Sequence, residues 1–485
     1  MTTNKDTKND EVDVAQVHRH ESVLDDSEEG KSPAVDYSGA QVKTSAAEQK
    51  LIRKLDLWIM PTLWAMYWLN FLDRNAIALA RLDGLEKDLG LTGSQYATCV
   101  SILFVGYILA QVPSNMLLTR IRISWYMGGC MMLWAVVSTL TGITKDYTGL
   151  LLTRFFLGIT EAPFYPGALY IISIFYTRKE IALRISILYT GNILATAFAG
   201  LISIGVFKMG GLAGLAGWRW LFILQGLITF VVALISVFVL PDDPTKTWWL
   251  TPEERDLAQS RIDRDTVDNK GGSSTWAGLV QAVKDKRVWL FVFIQHMHVG
   301  ALGFKNFFPT AVASLGFDRT TTLALTCPPY LVAGAAALLF SAHSGRKNER
   351  TWHITVAKSI AIFGFVLATA TLNRGARYFA MCVFAAGTYA VSSIVLGWVA
   401  STCGQTKEKR AVAIAIVNMT SNASFIWTSY LWPDWDEPRF AVAMSSSAGL
   451  SLACLLGAWA MKWVLMRENR RIRAQNNENV LYYAY

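Results

Sequence analysis

Charged side chains inside apolar stretches of this sequence have the types and spacing needed to bind an anion and to carry a proton. Asp73 and Arg74 interrupt the first apolar run, and Arg154 precedes Glu161 by seven residues, nearly two helical turns. An arginine stays charged and binds a carboxylate through two parallel hydrogen bonds, whereas a carboxyl group in a low-dielectric pocket can hold a proton near neutral pH. The pattern predicts that Arg74 binds an anionic group of a substrate. It also predicts that Glu161 and Asp73 carry protons and that Arg154 adjusts the proton affinity of Glu161.

Two other interpretations of these charges stay open. A helix that ended at Leu72 would place Asp73 and Arg74 in a loop, although the apolar run resumes after them and the part before them is short for a membrane span. Arg154 and Glu161 could instead form an ion pair that only holds helices together. Two prolines follow Glu161 within five residues and should break the helix beside its carboxylate. A break at that point favours a gated cavity over a rigid strut.

The composition shows what kind of structure must position these side chains. Of the 485 residues, 53% are hydrophobic and only 17% are charged, and the mean hydropathy is +0.31. An average soluble protein has about 25% charged residues and could not keep so much apolar surface away from water. The sequence therefore predicts an all-α membrane protein with twelve transmembrane helices in two six-helix halves. The apolar segments, each long enough to cross a hydrocarbon core of about 30 Å, lie near residues 55–80, 94–118, 124–144, 149–175, 182–207, 218–240, 288–312, 320–342, 352–372, 376–400, 411–431 and 441–465.

Polar stretches divide the chain into five parts. We expect a disordered cytoplasmic tail, an N-terminal six-helix half, a cytoplasmic linker, a C-terminal six-helix half and a second cytoplasmic tail, at residues 1–49, 50–240, 241–287, 288–465 and 466–485. Within the linker, Thr251, Pro252 and Glu254 form a capping-box pattern that predicts a short charged helix through Arg264. Lysine and arginine residues close to the first and last spans predict that both termini face the cytoplasm, and we expect the plasma membrane as the location.

The remaining composition excludes several classes of protein. The net charge is +9, but the basic residues recur in short clusters between apolar segments, as in cytoplasmic loops, and do not form one stripe for nucleic acid. The six cysteines lie in or beside apolar segments without CxxC spacing, so we expect small buried side chains and no metal site. The sequence contains no nucleotide-binding loop and no nucleophile triad. We therefore expect no enzyme activity and no cofactor, and an ion gradient as the energy source.

A set of short motifs resembles the anion:cation symporters of the major facilitator superfamily, in particular the fungal permeases for allantoate, nicotinate, pantothenate and similar acids. The resemblance covers about residues 50–470 and implies proton-coupled movement of organic anions, with roles for the four charged residues named above. Gln225 departs from the pattern, since the fungal branch usually has a glutamate there. The motifs that carry the resemblance include Asp73-Arg74-Asn75, Glu161-Ala162-Pro163, Pro166-Gly167, Gly217-Trp218-Arg219-Trp220-Leu221-Phe222, Leu240-Pro241-Asp242, Phe308-Pro309-Thr310 and Pro328-Pro329-Tyr330.

Other polar residues within the spans are candidates for the lining of a central cavity. Tyr67 and Asn70 accompany Arg74 in the first span, and Asn422 in the eleventh span is expected to bond between helices or to line the cavity. Lys305 in the seventh span has two interpretations. It could extend along the helix to the membrane interface, or it could be a second cation that faces the cavity across from Arg74, as a two-carboxylate substrate would need.

Two histidines in the seventh span add an open question. His296 and His298 are two residues apart and should point to different faces of a helix, so at least one is expected to make packing or lipid-side polar contacts. A titrating role for either is the alternative.

Together these features predict a secondary active transporter. We expect proton-coupled symport of a small carboxylate-bearing organic anion, such as a vitamin or a ureido acid, by alternating access in a lipid bilayer. The partners would be the anion and protons, without nucleic acid, and the protein would be a monomer. An exporter of an acidic metabolite and a nutrient sensor without net transport are the alternatives.

Overall fold

The computed structural model describes residues 45–118, 120–265, 275–403 and 407–474. In the N-terminal part of these ranges, long helices alternate with short loops because each apolar block satisfies its own backbone hydrogen bonds, as a segment in lipid must. These helices are α1 (Ala46–Leu82), α2 (Leu85–Asp88), α3 (Gln95–Leu118), α4 (Ile123–Thr141), α5 (Tyr147–Glu161), α6 (Phe164–Phe175), α7 (Arg178–Phe207) and α8 (Gly217–Val239).

Two shorter helices, α9 (Pro252–Asp265) and α10 (Thr275–Lys284), follow in the predicted linker. The predicted capping box is confirmed at the start of α9. The backbone amide of Glu254 donates to the Thr251 hydroxyl at 3.3 Å, and the Thr251 amide donates to the Glu254 carboxylate at 3.0 Å. The predicted charged helix therefore forms where the sequence placed it.

The C-terminal part repeats the pattern of long helices with more interruptions. A 3-10 segment, Leu302–Asn306, separates the first two of its helices and contains Lys305. The helices are α11 (Lys286–Ala301), α12 (Phe308–Ala313), α13 (Arg319–Leu325), α14 (Cys327–Lys347), α15 (Thr351–Ala370), α16 (Arg374–Tyr389), α17 (Ser392–Thr402), α18 (Lys407–Asn422), α19 (Ser424–Thr428) and α20 (Ala441–Ala474).

The predicted fold class is confirmed. Each of the twelve predicted apolar segments coincides with one helix or with a run of joined helices. Within the described ranges, nine helices or helix pairs are long and apolar enough to cross a membrane, and Gln95–Gln111 is a shorter apolar stretch. We call α1–α8 the N-terminal half and α11–α20 the C-terminal half.

Two predictions about the local course of the chain can be compared with the helix boundaries. Helix α1 continues to Leu82, so Asp73 and Arg74 are helical and the loop interpretation is wrong. Helix α5 ends at Glu161 and α6 begins at Phe164, which confirms the predicted break beside the carboxylate. A proline lacks the amide proton that would continue the helix, so Pro163 accounts for this break.

Close packing of α3 on α5 sets the position of the site. A Cβ on Gly158 would overlap the backbone carbonyl of Leu103, and a Cβ on Gly106 would overlap the carbonyl of Phe155. Glycines on both helices thus allow the two backbones to touch, as small residues do in membrane helix pairs. This contact holds the C-terminal turn of α5, which carries Glu161, deep in the N-terminal half.

Candidate functional site

A cavity of about 140 Å³ lies between the two halves. Helices α1, α3, α5, α6 and α7 line it from one side, and α11, α17, α18 and α19 line it from the other. Six of the residues predicted to bind substrate or carry protons lie in its wall, namely Tyr67, Asn70, Arg74, Glu161, Lys305 and Asn422. The structure therefore brings together residues that are up to 355 positions apart in the sequence, between Tyr67 and Asn422.

Arg74 and Glu161 form an ion pair in this wall. Nε of Arg74 donates to the Glu161 carboxylate. The Glu161 side chain has 0% exposure and that of Arg74 has 16%, so the pair is buried but open to the cavity on the arginine side. The guanidinium also lies 4.8 Å from the ring centre of Tyr107 and 5.5 Å from that of Phe71. Opposite charges at this depth attract strongly because little water screens them.

Arg154 does not pair with Glu161. Among the residues that the structure describes, no group hydrogen-bonds its buried Nε and Nη1 atoms, and the residue is 2% exposed. Arg154 lines a smaller cavity of about 20 Å³, whose wall also contains Arg74 and Lys305. The alternative of a structural Arg154–Glu161 ion pair therefore does not describe this arrangement. The partner of Glu161 comes from α1, which the sequence spacing did not predict.

Asp73 faces α4 and α8 and does not line the cavity. Its carboxylate is fully buried and accepts hydrogen bonds from Trp134 at 3.0 Å, Ser138 at 3.2 Å and Thr229 at 3.3 Å. These donors lie on α4 and α8, so Asp73 joins three helices inside the N-terminal half. Successive residues on a helix are about 100° apart, which explains why Asp73 and Arg74 face different surroundings.

Lys305 lies in the wall of the cavity between the halves. Its ammonium group is 4.3 Å from the ring centre of Phe425 and 5.9 Å from that of Phe71. It also lines the small cavity that contains Arg74 and Arg154. The cavity wall thus has two cations, Arg74 and Lys305, facing one carboxylate, Glu161. This excess of positive charge is suited to an anionic ligand.

The two histidines of α11 have different surroundings, as their spacing predicts. His296 contacts the backbone carbonyl of Thr420 at 2.9 Å and receives a hydrogen bond from Trp427 at 3.2 Å, which are packing contacts. His298 is 0% exposed and shares a 2.7 Å hydrogen bond with the hydroxyl of Ser392. The packing interpretation therefore fits His296.

Several lining residues were not singled out from the sequence. The sequence pattern could have identified them, because polar residues recur at helical spacing within apolar spans and so mark one helix face. On α7, Tyr189 and Asn192 are three residues apart, and the cavity contains both. The other lining residues of this kind are Tyr107, Tyr165, Gln295, Ser392 and Ser421.

Ion pairs connect the two halves at the end of the bundle where α1 terminates, which we call the far end. Arg81 forms ion pairs with Glu86 at 3.0 Å and with Asp434 of the C-terminal half at 2.7 Å. Asp83 pairs with Arg319 of the C-terminal half. At the other end, which we call the linker end, Lys54 pairs with Glu254 of α9 at 2.6 Å.

The site has no feature of a metal centre in the described ranges, where no cluster of three or more His, Cys, Asp or Glu residues could hold an ion. Its chemistry is that of reversible charge pairing. A cation that binds a carboxylate can exchange that carboxylate for another one, and an acid that loses its partner can take up a proton.

Comparisons with known proteins bear on the family and the fold of the chain. A family model described as Major Facilitator Superfamily matches residues 63–429. The MFS-type transporter cnsO of Penicillium expansum is 33% identical over 448 residues, which cover 89% of this chain and 86% of that protein. The major facilitator-type transporter hxnP of Emericella nidulans is 29% identical over 439 residues, which cover 88% of this chain and 87% of that protein.

Among solved structures, a bacterial homologue of the human lysosomal transporter Spinster, in an inward-facing and unoccupied conformation, is similar with a TM-score of 0.66. The similarity covers 85% of this chain and 97% of that chain at 17% sequence identity. At this identity the similarity supports the fold alone.

Proposed function

Because the chain belongs to the major facilitator superfamily of membrane transporters, we propose that it is a secondary active transporter that moves a small carboxylate-bearing organic anion together with protons by alternating access. The observation that carries the proposal is the Arg74–Glu161 ion pair in the wall of the cavity between the halves. Within the superfamily, we place the chain among the anion:cation symporters.

The ion pair supplies a way to link proton binding to anion binding. When Glu161 is ionised it occupies Arg74, so an incoming carboxylate must compete with it. Protonation of Glu161 removes the negative charge and frees the guanidinium for a bidentate contact with the substrate. Substrate on Arg74 in turn leaves Glu161 without its cation and so favours the protonated acid. By this reciprocity, each ligand strengthens the binding of the other.

The other lining residues have supporting roles in this proposal. Lys305 is the second cation and would hold a second acidic group where the substrate has one. Tyr67, Asn70 and Asn422 give the cavity a ring and two amides that contact the rest of the anion. The prediction that Asp73 carries a further proton stays a prediction, since the three donors around its carboxylate equally suit a permanent structural anion.

Alternating access requires the contacts at the far end to break when the cavity opens there. We propose that the Arg81–Asp434 and Asp83–Arg319 pairs hold that end shut while substrate enters or leaves at the linker end. We further propose that the linker end faces the cytoplasm of a cell whose plasma membrane holds the protein. One proton with a monoanion is then electroneutral and is driven by the pH difference, at about 1.4 kcal/mol per pH unit.

A transport screen tests the proposal. Purified protein in liposomes is offered labelled monocarboxylates, ureido acids and dicarboxylates, with and without an inward pH gradient. We expect at least one class to accumulate only with the gradient. Glu161→Gln should abolish this accumulation and keep exchange of substrate across the membrane, while Glu253→Gln, the same change on the exposed surface of α9, should behave as wild type. Accumulation without any dependence on the pH gradient would contradict the proposal.

The same liposomes separate the alternative functions. Inside-out vesicles with a reversed gradient show whether export is the productive direction. Counterflow, in which internal unlabelled substrate draws in labelled substrate, identifies a transporter and would be absent for a sensor.

A further inference from the structure

A second cavity, which the proposed mechanism does not use, lies at the far end between the halves. Its volume is about 300 Å³, compared with about 140 Å³ for the central cavity, and we call it the vestibule. Its lining includes Arg81, Tyr96, Phe307, Tyr430, Trp432 and Trp435. A concave space of this volume, with mostly aromatic walls and a few polar groups, has the properties of a site for a small molecule.

The vestibule and the central cavity follow one another along α1 and α3. Arg74 lines the central cavity and Arg81 lines the vestibule. These arginines are seven residues apart, so they share one face of α1 about 10 Å apart along its axis. The small cavity of about 20 Å³ contains Ala78, which lies between them. On α3 the order is the same, with Tyr107 in the central cavity and Ala97 in the vestibule. The vestibule is therefore the next space for a solute that moves between the central cavity and the far end.

Aromatic rings from both halves form the apolar part of the vestibule. The ring of Phe307 stacks on that of Trp432, with centres 5.4 Å apart and planes 3° apart. Tyr96 of α3 places its ring edge-on to Phe307, with centres 5.9 Å apart. Tyr430 and Trp435 add large rings that are 48% and 78% exposed. A solute that covers these exposed rings removes apolar surface from water, which favours its binding.

Arg81 gives the vestibule a cation whose partner can be exchanged. The Arg81 side chain is only 10% exposed, and it pairs with Glu86 at 3.0 Å and with Asp434 at 2.7 Å. The Asp434 side chain is 65% exposed, and an ion pair with such a well-hydrated partner contributes little stability. Another carboxylate can therefore replace Asp434 on the guanidinium and make equivalent hydrogen bonds. Glu86, from the same half as Arg81, would hold the arginine in place during this exchange.

We propose that the vestibule is a second binding site for the transported anion, whose carboxylate replaces Asp434 on Arg81 while the rest of the molecule covers the aromatic rings. That the occupant is the transported anion rests on the proposed function. Replacement of Asp434 breaks an ion pair between the halves, so an occupied vestibule favours the state that is open at the far end. The anion then reaches Arg74, where it exchanges with Glu161 in the same way.

Protection of a cysteine tests binding in the vestibule without any transport. Ser94→Cys places a thiol at an exposed position of its wall. The rate of reaction of this thiol with a neutral maleimide is measured on the full-length protein in detergent, and the wild type gives the background from the native cysteines. The probe is benzoate, which has one ring and one carboxylate, and benzamide has a similar shape without the charge. We expect saturating benzoate to slow the reaction by about fivefold or more and benzamide by less than about twofold. Equal protection by the two compounds would overturn the proposal.

Arginine variants in the Ser94→Cys protein locate the protection. In Arg81→Gln the cation is gone, so protection by benzoate should fall to the level of benzamide. Arg374→Gln, at an exposed position at the start of α16 outside the vestibule, is the matched control and should leave protection unchanged. Arg74→Gln removes the cation of the central cavity, and protection by benzoate should persist. Protection that survives in Arg81→Gln, or that disappears in Arg74→Gln, would overturn the proposal.

Asp434→Asn covers the case in which Arg81→Gln does not fold. The exposed amide does not compete as an anion for Arg81, so half-maximal protection should require about fivefold less benzoate. An unchanged or higher benzoate requirement would contradict the exchange of carboxylates. This binding test and the transport screen fail separately. A protein that transports no anion can still show protection, and an absence of protection leaves the Arg74–Glu161 site as proposed.

Discussion

Glu161 at the end of α5 and Arg74 in the C-terminal third of α1 are ion-paired across 87 positions of sequence, with the glutamate wholly buried and the arginine open to a cavity. Neither residue faces lipid. The acid that is expected to carry a proton and the cation that is expected to bind the substrate are therefore each other's partner. A single protonation event can thus change the state of both, without a separate coupling element.

Replacement of Arg74 tests the anion-binding role directly. Lysine keeps the positive charge but loses the planar pair of donors, so we expect Arg74→Lys to raise KM for the transported anion by about tenfold or more. Uptake kinetics in liposomes measure this change. Arg122→Lys, at an exposed position before α4, is the matched control and should leave KM unaltered. An Arg74→Lys protein with a wild-type KM would mean that the guanidinium does not contact the substrate.

Lys305 decides how many acidic groups the site accommodates. Its ammonium group shares the cavity wall with Arg74, so Lys305→Ala should weaken the binding of dicarboxylates by about tenfold. The affinity for monocarboxylates, which Arg74 alone holds, should fall by less than about threefold. Competition by unlabelled acids against one labelled substrate gives both values. Equal losses for the two classes would argue against a second anion contact at this lysine.

The ion pairs at the far end should control which side of the cavity is open. Arg81→Gln removes the contacts with Asp434 and Glu86, so the state that is open at the far end should become more populated. A cysteine at buried position 78, introduced as Ala78→Cys, reports this opening through its rate of reaction with a charged thiol reagent added from that side. We expect the rate to rise about fivefold in Arg81→Gln. A lower rate would show that the pair stabilises the open state instead.

Asp285 at the linker end gives the stability of the C-terminal half a defined pH dependence. Although partial burial works against it, hydrogen bonds from Arg287 and Lys409 lower the pKa of Asp285 from 3.8 to about 2. A carboxyl group whose pKa is lower in the folded than in the unfolded protein stabilises the folded state at pH values above its pKa in the unfolded protein. That stabilisation is lost as the pH falls towards 2. Asp285→Asn keeps a helix cap but removes the charge, so we expect a loss of about 1–2 kcal/mol at neutral pH.

Thermal unfolding of the purified protein between about pH 3 and pH 7 measures this effect. The difference in stability between Asp285→Asn and wild type should shrink as the pH falls. Asp146→Asn is the control, since Asp146 caps α5 through the amide of Gly149 at 2.8 Å. If the difference in stability were constant across the pH range, Asp285 would stabilise the protein only as a helix cap.

The sequence predicted the spans well and the pairing of their charges poorly, for a physical reason. An apolar block of about twenty residues must form a helix in lipid, so the position of each helix follows from local composition. A charge inside such a block marks a site because lipid excludes it, and Arg74 and Glu161 were found in this way. Which charges meet depends on how helices far apart in sequence pack, and the spacing on α5 drew attention to Arg154 instead.

Lys305 and Asp73 illustrate the same limit. The 3-10 segment from Leu302 to Asn306 changes the direction in which Lys305 points, and regular helical spacing could not predict this change. Asp73 was grouped with Arg74 because they are adjacent, yet adjacent helix positions point about 100° apart, and the three donors around Asp73 come from α4 and α8. The Asp83–Arg319 contact joins positions 236 residues apart, and neither residue stands out in the sequence.

The most direct test of the account is the affinity of the purified wild-type protein and of Glu161→Gln for one transported anion, measured by isothermal titration calorimetry across a range of pH. In the wild type, anion binding should weaken by about tenfold for each pH unit above the point at which Glu161 loses its proton, because the carboxylate then occupies Arg74. In Glu161→Gln the arginine is always free, so binding should be tight and independent of pH. A Glu161→Gln protein that retains the pH dependence of the wild type would contradict the central claim.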